Sequence, residues 1–409
     1  MRASASPSQS SLGWSLILLL SLLTALDAMA IDLYLPAFPT VTEAFAVDPA
    51  RVQQTLSVFL FGLAIGQGLY GPLLDRFGRR LPLLLGMALF CAASVMAAMA
   101  SSIEAVLFAR FLQALGAAAG LVAPRSVVAD LCDVRESARI FSILMQIMAI
   151  APIVAPILGS YLLALAGWRS IFWALALVGV VGGLWAMLIL PETLPPGARQ
   201  PLNLRAVVKT YWGLCRKRSF FAYAIAGGFI LGSLFAYITV APFIFIVHFG
   251  LKPLTFSLLF AANAVTLVIS AQCTIILLRR VTAQKILLGG LLLHLGSGLA
   301  LLLAALYAGV SVWLYFAFLA LAISGLGFTF GTHAALTMDE AQEQTGSGSA
   351  LMGLFQYLLG AAAGLFISWL PEGLVPLPLI FVLCGACAWL LCVAAYRARI
   401  RPTVSLESA

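Results

Sequence analysis

Among the charged residues inside long apolar stretches of the first half, three stand out: Asp27, Asp32 and Arg110. A charged side chain at the centre of a bilayer costs at least about 2.5–3.5 kcal/mol on insertion scales, so such residues are candidates for function. Loss of hydration raises the pKa of a carboxylate, whereas a nearby arginine lowers it. Their balance can set a carboxylate to take up and release protons under working conditions, so proton transfer is the chemistry to expect here.

The two acids are five residues apart, which is about 140° around a helix. They are therefore not expected to share one helix face unless Pro36 and its neighbours distort the chain. Spacing alone leaves open which of the two carries the proton.

The composition identifies the elements that must position these residues. Of the 409 residues, 63% are hydrophobic and only 9% are charged, whereas about a quarter of the residues of a soluble protein are charged. Apolar stretches of about 20 residues recur, as in membrane-spanning helices, without the short alternating segments of a barrel. The predicted class is an all-α integral membrane protein.

Reading these stretches predicts twelve spans. Their approximate ranges are 13–38, 52–74, 81–100, 104–128, 138–166, 171–190, 220–248, 255–278, 285–308, 312–337, 347–370 and 375–396. The one substantial break, residues 191–219, is rich in bases and holds the single acid Glu192, so it is predicted to be a solvated cytoplasmic linker. We therefore expect a six-helix bundle in residues 1–190 and a second one in residues 220–409.

The distribution of bases predicts the orientation. Most of the 23 lysines and arginines fall in loops on one side of the membrane, whereas the opposite loops hold only Arg51, Arg169 and Lys252. Because cytoplasmic loops carry the excess of bases, both termini are expected in the cytoplasm. A net charge of +8 could suggest that the protein binds nucleic acid, but the placement of the bases in short loops beside the spans argues against this. The apolar run after Arg2 resembles a signal peptide, but it continues to Phe38 and is expected to remain as the first span.

The sequence GPLLDRFGRR, Gly71 to Arg80, concentrates charge in one turn between two spans. Gly71 and Gly78 would allow a tight turn and close approach of helices. Asp75 and Arg79 are four residues apart and can pair, and Asp130 ends the fourth span on the same side. Asp75 can also meet the N-terminal dipole of the eleventh span, in TGSGSAL, Thr345 to Leu351. We expect these groups to hold the two halves together in one conformation and to release them in the other.

The fifth span contains Pro152, Pro156 and Gly159. Proline bends a helix, and small residues let a neighbouring helix approach closely. These residues are expected to seal a central cavity, although an ordinary kinked span would show the same pattern.

Polar and aromatic residues of the spans supply candidates for a substrate cavity. Gln113, Gln146, Asn263 and Gln356 could form hydrogen bonds with a substrate, although contacts between helices are the commoner use. Tyr34, Phe38, Phe59 and Tyr237 could line apolar walls, or could serve packing alone. The histidines have no second ligand one turn away and the seven cysteines show no paired spacing, so neither a metal nor a cofactor is expected.

Several motifs together resemble a known family. Gly71 to Arg80 is similar to the signature loop of the major facilitator superfamily, and RFLQALGAAAG, Arg110 to Gly120, resembles the fourth-span motif of its drug:proton antiporters. APIVAPILGS, Ala151 to Ser160, resembles their fifth-span motif, with alanine in place of the first glycines. IDLYLPAFP, GWRSIF and PETL resemble the bicyclomycin- and chloramphenicol-resistance branch (Bcr/CflA-type).

This resemblance implies a monomer of two six-helix bundles in a bacterial inner membrane. It implies an antiporter that exports small, largely apolar drugs in exchange for protons. It also favours Asp32, in IDLYLP, as the main proton site, with Arg110 as its partner and Asp27 as the second candidate. Export of a polar metabolite is the alternative within this class. A membrane-embedded enzyme or receptor is disfavoured, because the sequence shows no catalytic pair and no long soluble segment.

Overall fold

The computed structural model describes residues 13–199, 204–307, 309–341 and 345–404, and over this part of the chain it contains helices and no strand. Twelve segments of it are long and apolar enough to cross a membrane. The predicted fold class and number of spans are therefore confirmed. The predicted cytoplasmic ends fall largely on residues 1–12 and 405–409, which lie outside the described residues.

The first half contains seven helices, two of which belong to the first span. They are α1 (Trp14–Asp32), α2 (Phe38–Phe45), α3 (Pro49–Phe77), α4 (Arg80–Ala98), α5 (Ile103–Leu131), α6 (Val134–Ala166) and α7 (Arg169–Ile189). A 3₁₀ turn, Leu35–Ala37, joins α1 to α2.

The second half follows a short helix in the linker. The helices are α8 (Leu204–Arg216), α9 (Arg218–Pro242), α10 (Pro253–Leu277), α11 (Ala283–Leu306), α12 (Val312–Ala341), α13 (Thr345–Ser368) and α14 (Pro376–Val404). A π-helical turn, Phe243–His248, extends α9.

Side-chain caps define where several helices begin. Asp48 accepts a hydrogen bond from the backbone N–H of Ala50 (2.8 Å), and Asp133 accepts one from that of Glu136 (2.8 Å). Ser102 accepts a hydrogen bond from the backbone N–H of Ala105 at the start of α5. Each cap satisfies an N–H group that has no partner within the helix, so these three boundaries are encoded locally.

Matching pairs of glycines bring helices together in the two halves. In the first half, a Cβ added to Gly116 of α5 would lie 2.6 Å from the carbonyl oxygen of Gly86 in α4. In the second half, a Cβ added to Gly325 of α12 would lie 2.8 Å from the carbonyl oxygen of Gly290 in α11. The third span thus packs on the fourth as the ninth packs on the tenth, so the two halves repeat one packing arrangement.

The linker is more structured than the sequence suggested. Its helix α8 buries Leu214 against Phe220, Ala224 and Leu351 of the second half, while Trp212 remains exposed. One face of α8 is apolar and meets this cluster, so this helix packs on the second bundle. Residues 200–203 of the predicted linker lie outside the described residues.

The two halves meet along two antiparallel helix pairs, α3 with α13 and α6 with α10. A Cβ on Gly364 would lie 2.8 Å from Oγ of Ser57, and one on Gly353 would lie 2.8 Å from Oε1 of Gln67. Extending this register places Asp75 level with the start of α13. The register thus agrees with the expected approach of Asp75 to the N-terminus of the eleventh span.

Candidate functional site

A cavity of about 170 Å³ lies between the two halves. The first half contributes Asp32, Met148, Ala149 and Pro152. The second half contributes the remaining wall, formed by Leu234, Tyr237, Ile238, Phe260, Asn263, Ala264, Leu267, Val268, Ile323 and Phe330. Among these residues the polar side chains are those of Asp32, Tyr237 and Asn263. The cavity therefore combines apolar walls with few polar groups, the usual chemistry of a small-molecule site.

The end of a helix positions Asp32. It is the last residue of α1, and the chain then turns through Leu33 and Tyr34 into the 3₁₀ segment. Gly159 of α6 packs directly on the backbone carbonyl of Leu33, where a Cβ would collide with the oxygen. The close approach expected at Gly159 is thus present, and it fixes the backbone beside Asp32, whose side chain is almost completely buried.

Two residues of the second half form the polar part of the opposite wall. The amide Nδ2 of Asn263 donates a hydrogen bond to the Tyr237 hydroxyl (3.0 Å). The Tyr237 ring stacks on Phe260, with centroids 5.4 Å apart and planes inclined by 13°. Oδ1 of Asn263 is buried and has no hydrogen-bond partner among the described residues.

Arg110 is completely buried within the first half. Its Nη1 donates to the carbonyl oxygen of Ala30 (3.0 Å) and to Oε1 of Gln113 (2.6 Å), and its guanidinium lies 4.1 Å from the Phe59 ring centroid. Gln113 in turn donates to Ser94 (2.7 Å). Gln113 is thus engaged in the bundle rather than in the cavity.

The expected pairing of Asp32 with Arg110 is absent from this conformation. Among the residues that the structure describes, the ion pairs join Arg51 to Glu104, and Arg79 to Asp75 and Asp130. Arg110 is directed to the backbone of α1, whereas Asp32 faces the second half. Residue spacing could not reveal this difference in direction.

Asp27 occupies a separate place on α1. It is buried, its Oδ1 has no hydrogen-bond partner among the described residues, and it interacts electrostatically with Arg125 of α5 and with the Tyr357 hydroxyl of α13. The two acids therefore face different helices, as their spacing predicted. Arg125 and Tyr357 were not selected from the sequence, although a base inside the fourth span was a signal for Arg125.

Several candidates for cavity residues lie elsewhere. Tyr34 packs on Phe38 and Phe172, with centroids 4.9 and 5.0 Å away, and all three rings are buried. Phe59 packs on Arg110. These aromatic residues serve packing in this conformation, which corrects their assignment to cavity walls. Gln146 and Gln356 are also absent from the lining of this cavity.

The charged turn forms a compact cluster at one end of the first half. Arg79 donates from Nη1 to Asp75 (2.7 Å) and from Nε to Asp130 (2.9 Å). Burial lowers the pKa of Arg79, but its bonds with the two acids outweigh this effect and hold the pKa above its ordinary value. Arg79 therefore remains charged, and the predicted contacts of Asp75, Arg79 and Asp130 are present.

Two linker residues complete this cluster and were missed as site residues, although PETL was a recognisable motif. Glu192 accepts a hydrogen bond from the backbone N–H of Arg79 (2.8 Å), and Thr193 donates to Asp130 (2.7 Å). The Glu192 carboxylate occupies the position that a Cβ on Gly78 would need, and φ of Gly78 is +90°. Gly71 differs, since it lies inside α3 and a Cβ there would meet nothing within 4 Å. The predicted close approach is wrong for Gly71.

Contacts near the C-terminal end of α6 join the two halves. The hydroxyls of Ser160 and Ser257 are 2.7 Å apart, and Ser257 also lies 2.9 Å from the carbonyl oxygen of Pro156. Nearby, Phe38 faces Phe243 across the interface, with centroids 6.1 Å apart. At this end α6 and α10 are in direct contact, while Pro152 lies deeper along α6 at the cavity.

Comparisons with known proteins agree with this architecture. The sequence model of the family described as the Major Facilitator Superfamily matches residues 20–365 of this chain. The uncharacterised transporter YdgK of Bacillus subtilis (strain 168) is 36% identical over 351 residues, 85% of this chain and 87% of that protein. A bicyclomycin resistance protein homologue of Haemophilus influenzae is 28% identical over 93% of this chain and 95% of its own. The crystal structure of a D-xylose–proton symporter matches with a TM-score of 0.73 at 15% identity, over 94% of this chain and 97% of its own.

Proposed function

Because the chain belongs to the major facilitator superfamily, we propose that it exports small, largely apolar molecules, drugs among them, in exchange for protons. The observation that carries this proposal is the cavity between the halves, where the Asp32 carboxylate is set into walls that are apolar apart from Tyr237 and Asn263. The relative named for bicyclomycin resistance supports drugs as the substrates. The excess of bases on one side supports a bacterial inner membrane with both termini in the cytoplasm.

Alternating access would be a movement of the bundle in residues 1–190 against the bundle in residues 220–409. Transporters of two repeated bundles bind substrate near the bilayer midplane and open to either side by rocking. The serine contacts at the outer end would separate in the outward-open state. The cluster of Asp75, Arg79 and Asp130 would act at the inner end, beside the start of α13.

Asp32 would couple this movement to protons. In its ionised form it would attract a substrate that enters from the cytoplasm. Protonation from the outside would remove that attraction, release the substrate and allow the empty carrier to return. Arg110 holds the backbone of α1 at Ala30, two residues before Asp32, so its contribution would be to fix the position of the acid. Asp27 remains the second candidate for the proton site.

The test uses the purified protein in proteoliposomes with a pH gradient and a panel of drugs. Uphill movement of at least one drug is expected, and nigericin, which exchanges protons for potassium, should stop it. Movement that survives loss of the gradient would rule out proton coupling, and Asp32→Asn is the matched inactive control.

The polar pair of Asn263 and Tyr237 supports one further candidate, export of a polar metabolite. Nucleosides and amino-acid derivatives carry several donors and acceptors that such a pair could bind. A panel of these metabolites in the same vesicles discriminates between the two candidates, because a metabolite exporter would move them in preference to the drugs.

A further inference from the structure

One polar atom of the cavity has no partner. Asn263 is 1% exposed, and while its Nδ2 is engaged by Tyr237, its Oδ1 accepts no hydrogen bond among the described residues. Buried polar atoms are almost always paired. Since Asn263 lines the cavity, an occupant of the cavity is the natural source of the missing donor.

Tyr237 determines which face of the amide is available. Its ring is held by the stack on Phe260, and its hydroxyl oxygen accepts from the amide nitrogen of Asn263. Asp32 lines the same cavity, so its ionised carboxylate would be an acceptor for the proton of this hydroxyl. A half-turn of the amide would keep a bond to Tyr237 only if the hydroxyl donated instead and turned its proton away from Asp32; in the orientation that the structure shows, the amide oxygen is left for a ligand.

Asp32 is a further acceptor of the cavity in its ionised form. The ionised Asp32 carboxylate can only accept hydrogen bonds, and the residues that line the cavity include no lysine, arginine or histidine. The remaining walls are aliphatic, aromatic or thioether side chains. A molecule that offers donors therefore fits this cavity better than one of the same shape that offers none.

We propose that Asn263 is a specificity determinant that selects apolar substrates bearing an O–H or N–H donor, and that Tyr237 is its positioning residue. This inference rests on the proposed export function, because it assumes that the cavity is where the transported molecule binds. The substrate class follows from one contact, in which Oδ1 of Asn263 accepts a hydrogen bond from an O–H or N–H group of the substrate.

The test compares two probes with the same carbon framework, chloramphenicol and its permethylated ether, whose two hydroxyl oxygens and amide nitrogen all carry methyl groups so that no O–H or N–H donor remains. Affinity for the purified full-length protein is measured by isothermal titration calorimetry. We expect the wild type to prefer chloramphenicol by about three- to tenfold, the range given by one net hydrogen bond. Asn263→Leu, which is nearly equal in size, should remove this preference.

Two further variants separate the contact from general damage. Tyr237→Phe keeps the ring stack but frees the amide to turn, so the preference should fall while the ether still binds. Ser270→Ala alters the same helix at a hydroxyl that bonds to Thr266 of its own helix, and it should retain the wild-type preference. The ratio of the two affinities is the readout, since a structural defect would lower both together.

Equal affinity of the wild type for both probes, binding of neither, or an unchanged preference in Asn263→Leu would overturn the inference. A preference for the ether would also overturn it, because it would mean that the amide presents its nitrogen to the cavity. Failure of the export function is distinguishable: it would appear as movement of both probes that ignores the pH gradient, whatever their affinity ratio.

Discussion

The hydroxyl oxygens of Ser160 and Ser257 lie 2.7 Å apart and connect the two halves of the molecule at one end of the cavity. Ser160 belongs to α6 of the first half and Ser257 to α10 of the second half. Ser160 also lies 3.1 Å from the carbonyl oxygen of Pro253, so both helices contribute backbone and side-chain groups. If the halves rock against each other, this contact has to break in each cycle.

Replacing both serines by cysteine should therefore trap the protein. Side-chain oxygens at this distance place the two positions within reach of a disulfide bond. We expect oxidation of Ser160→Cys/Ser257→Cys to stop export and a reducing agent to restore it. Peptide mass spectrometry detects the cross-link, and the two single variants are the controls. Full export by the cross-linked protein would show that this end does not open.

Asp75→Asn should slow the cycle without removing binding. The Asp75 side chain is 55% exposed near the C-terminal end of α3 and does not line the cavity, while Arg79 would keep its bond to Asp130. We expect unchanged substrate affinity and an initial rate of export reduced several-fold. Affinity and rate are measured on the same preparation. Lost affinity at a normal rate would contradict the assignment of Asp75 to the conformational change.

Gly78→Ala should destabilise the cluster that Asp75, Arg79, Asp130 and Glu192 form. The backbone conformation of Gly78, with φ +90° and ψ 172°, is one that costs residues other than glycine about 1–3 kcal/mol. The added methyl group would also displace the Glu192 carboxylate. We expect a lower midpoint of thermal unfolding in detergent. Gly71→Ala is the matched control, since it adds a methyl group to open space, and equal midpoints for the two variants would refute the proposed strain.

Asp32→Asn should abolish proton-coupled export, and Asp27→Asn should impair it less. The amide is close in size to the carboxylate but does not titrate, so packing is kept while the proton site is removed. The measurement is substrate affinity against pH for the wild type and both variants. The curve should flatten for Asp32→Asn. If it flattens only for Asp27→Asn, the roles of the two acids are reversed, and if it flattens for neither, the proton site lies elsewhere.

The twelve spans and the pairing of Asp75 with Arg79 were accessible from the sequence because both depend on local properties. Hydropathy over one helix length defines a span, and the chain itself keeps residues only four positions apart close together, here across the end of α3 at Phe77. The direction of Arg110 was not accessible, since a long side chain can turn toward either of two neighbours. The contact of Glu192 with Arg79 spans 113 residues, and the pairing of Tyr237 with Asn263 depends on how α9 packs on α10. Contacts of these kinds arise from tertiary packing.

The matching glycine pairs of the two halves have a mechanical consequence. With a carbonyl oxygen of α4 2.6 Å from where a Cβ of Gly116 would be, and one of α11 2.8 Å from that of Gly325, neither pair of helices has room to slide or rotate internally. Each of these two helix pairs is thereby expected to move as one unit. A bulkier cargo would then be accommodated by movement of other helices, those along the interface between the halves among them, rather than by a change within either glycine pair.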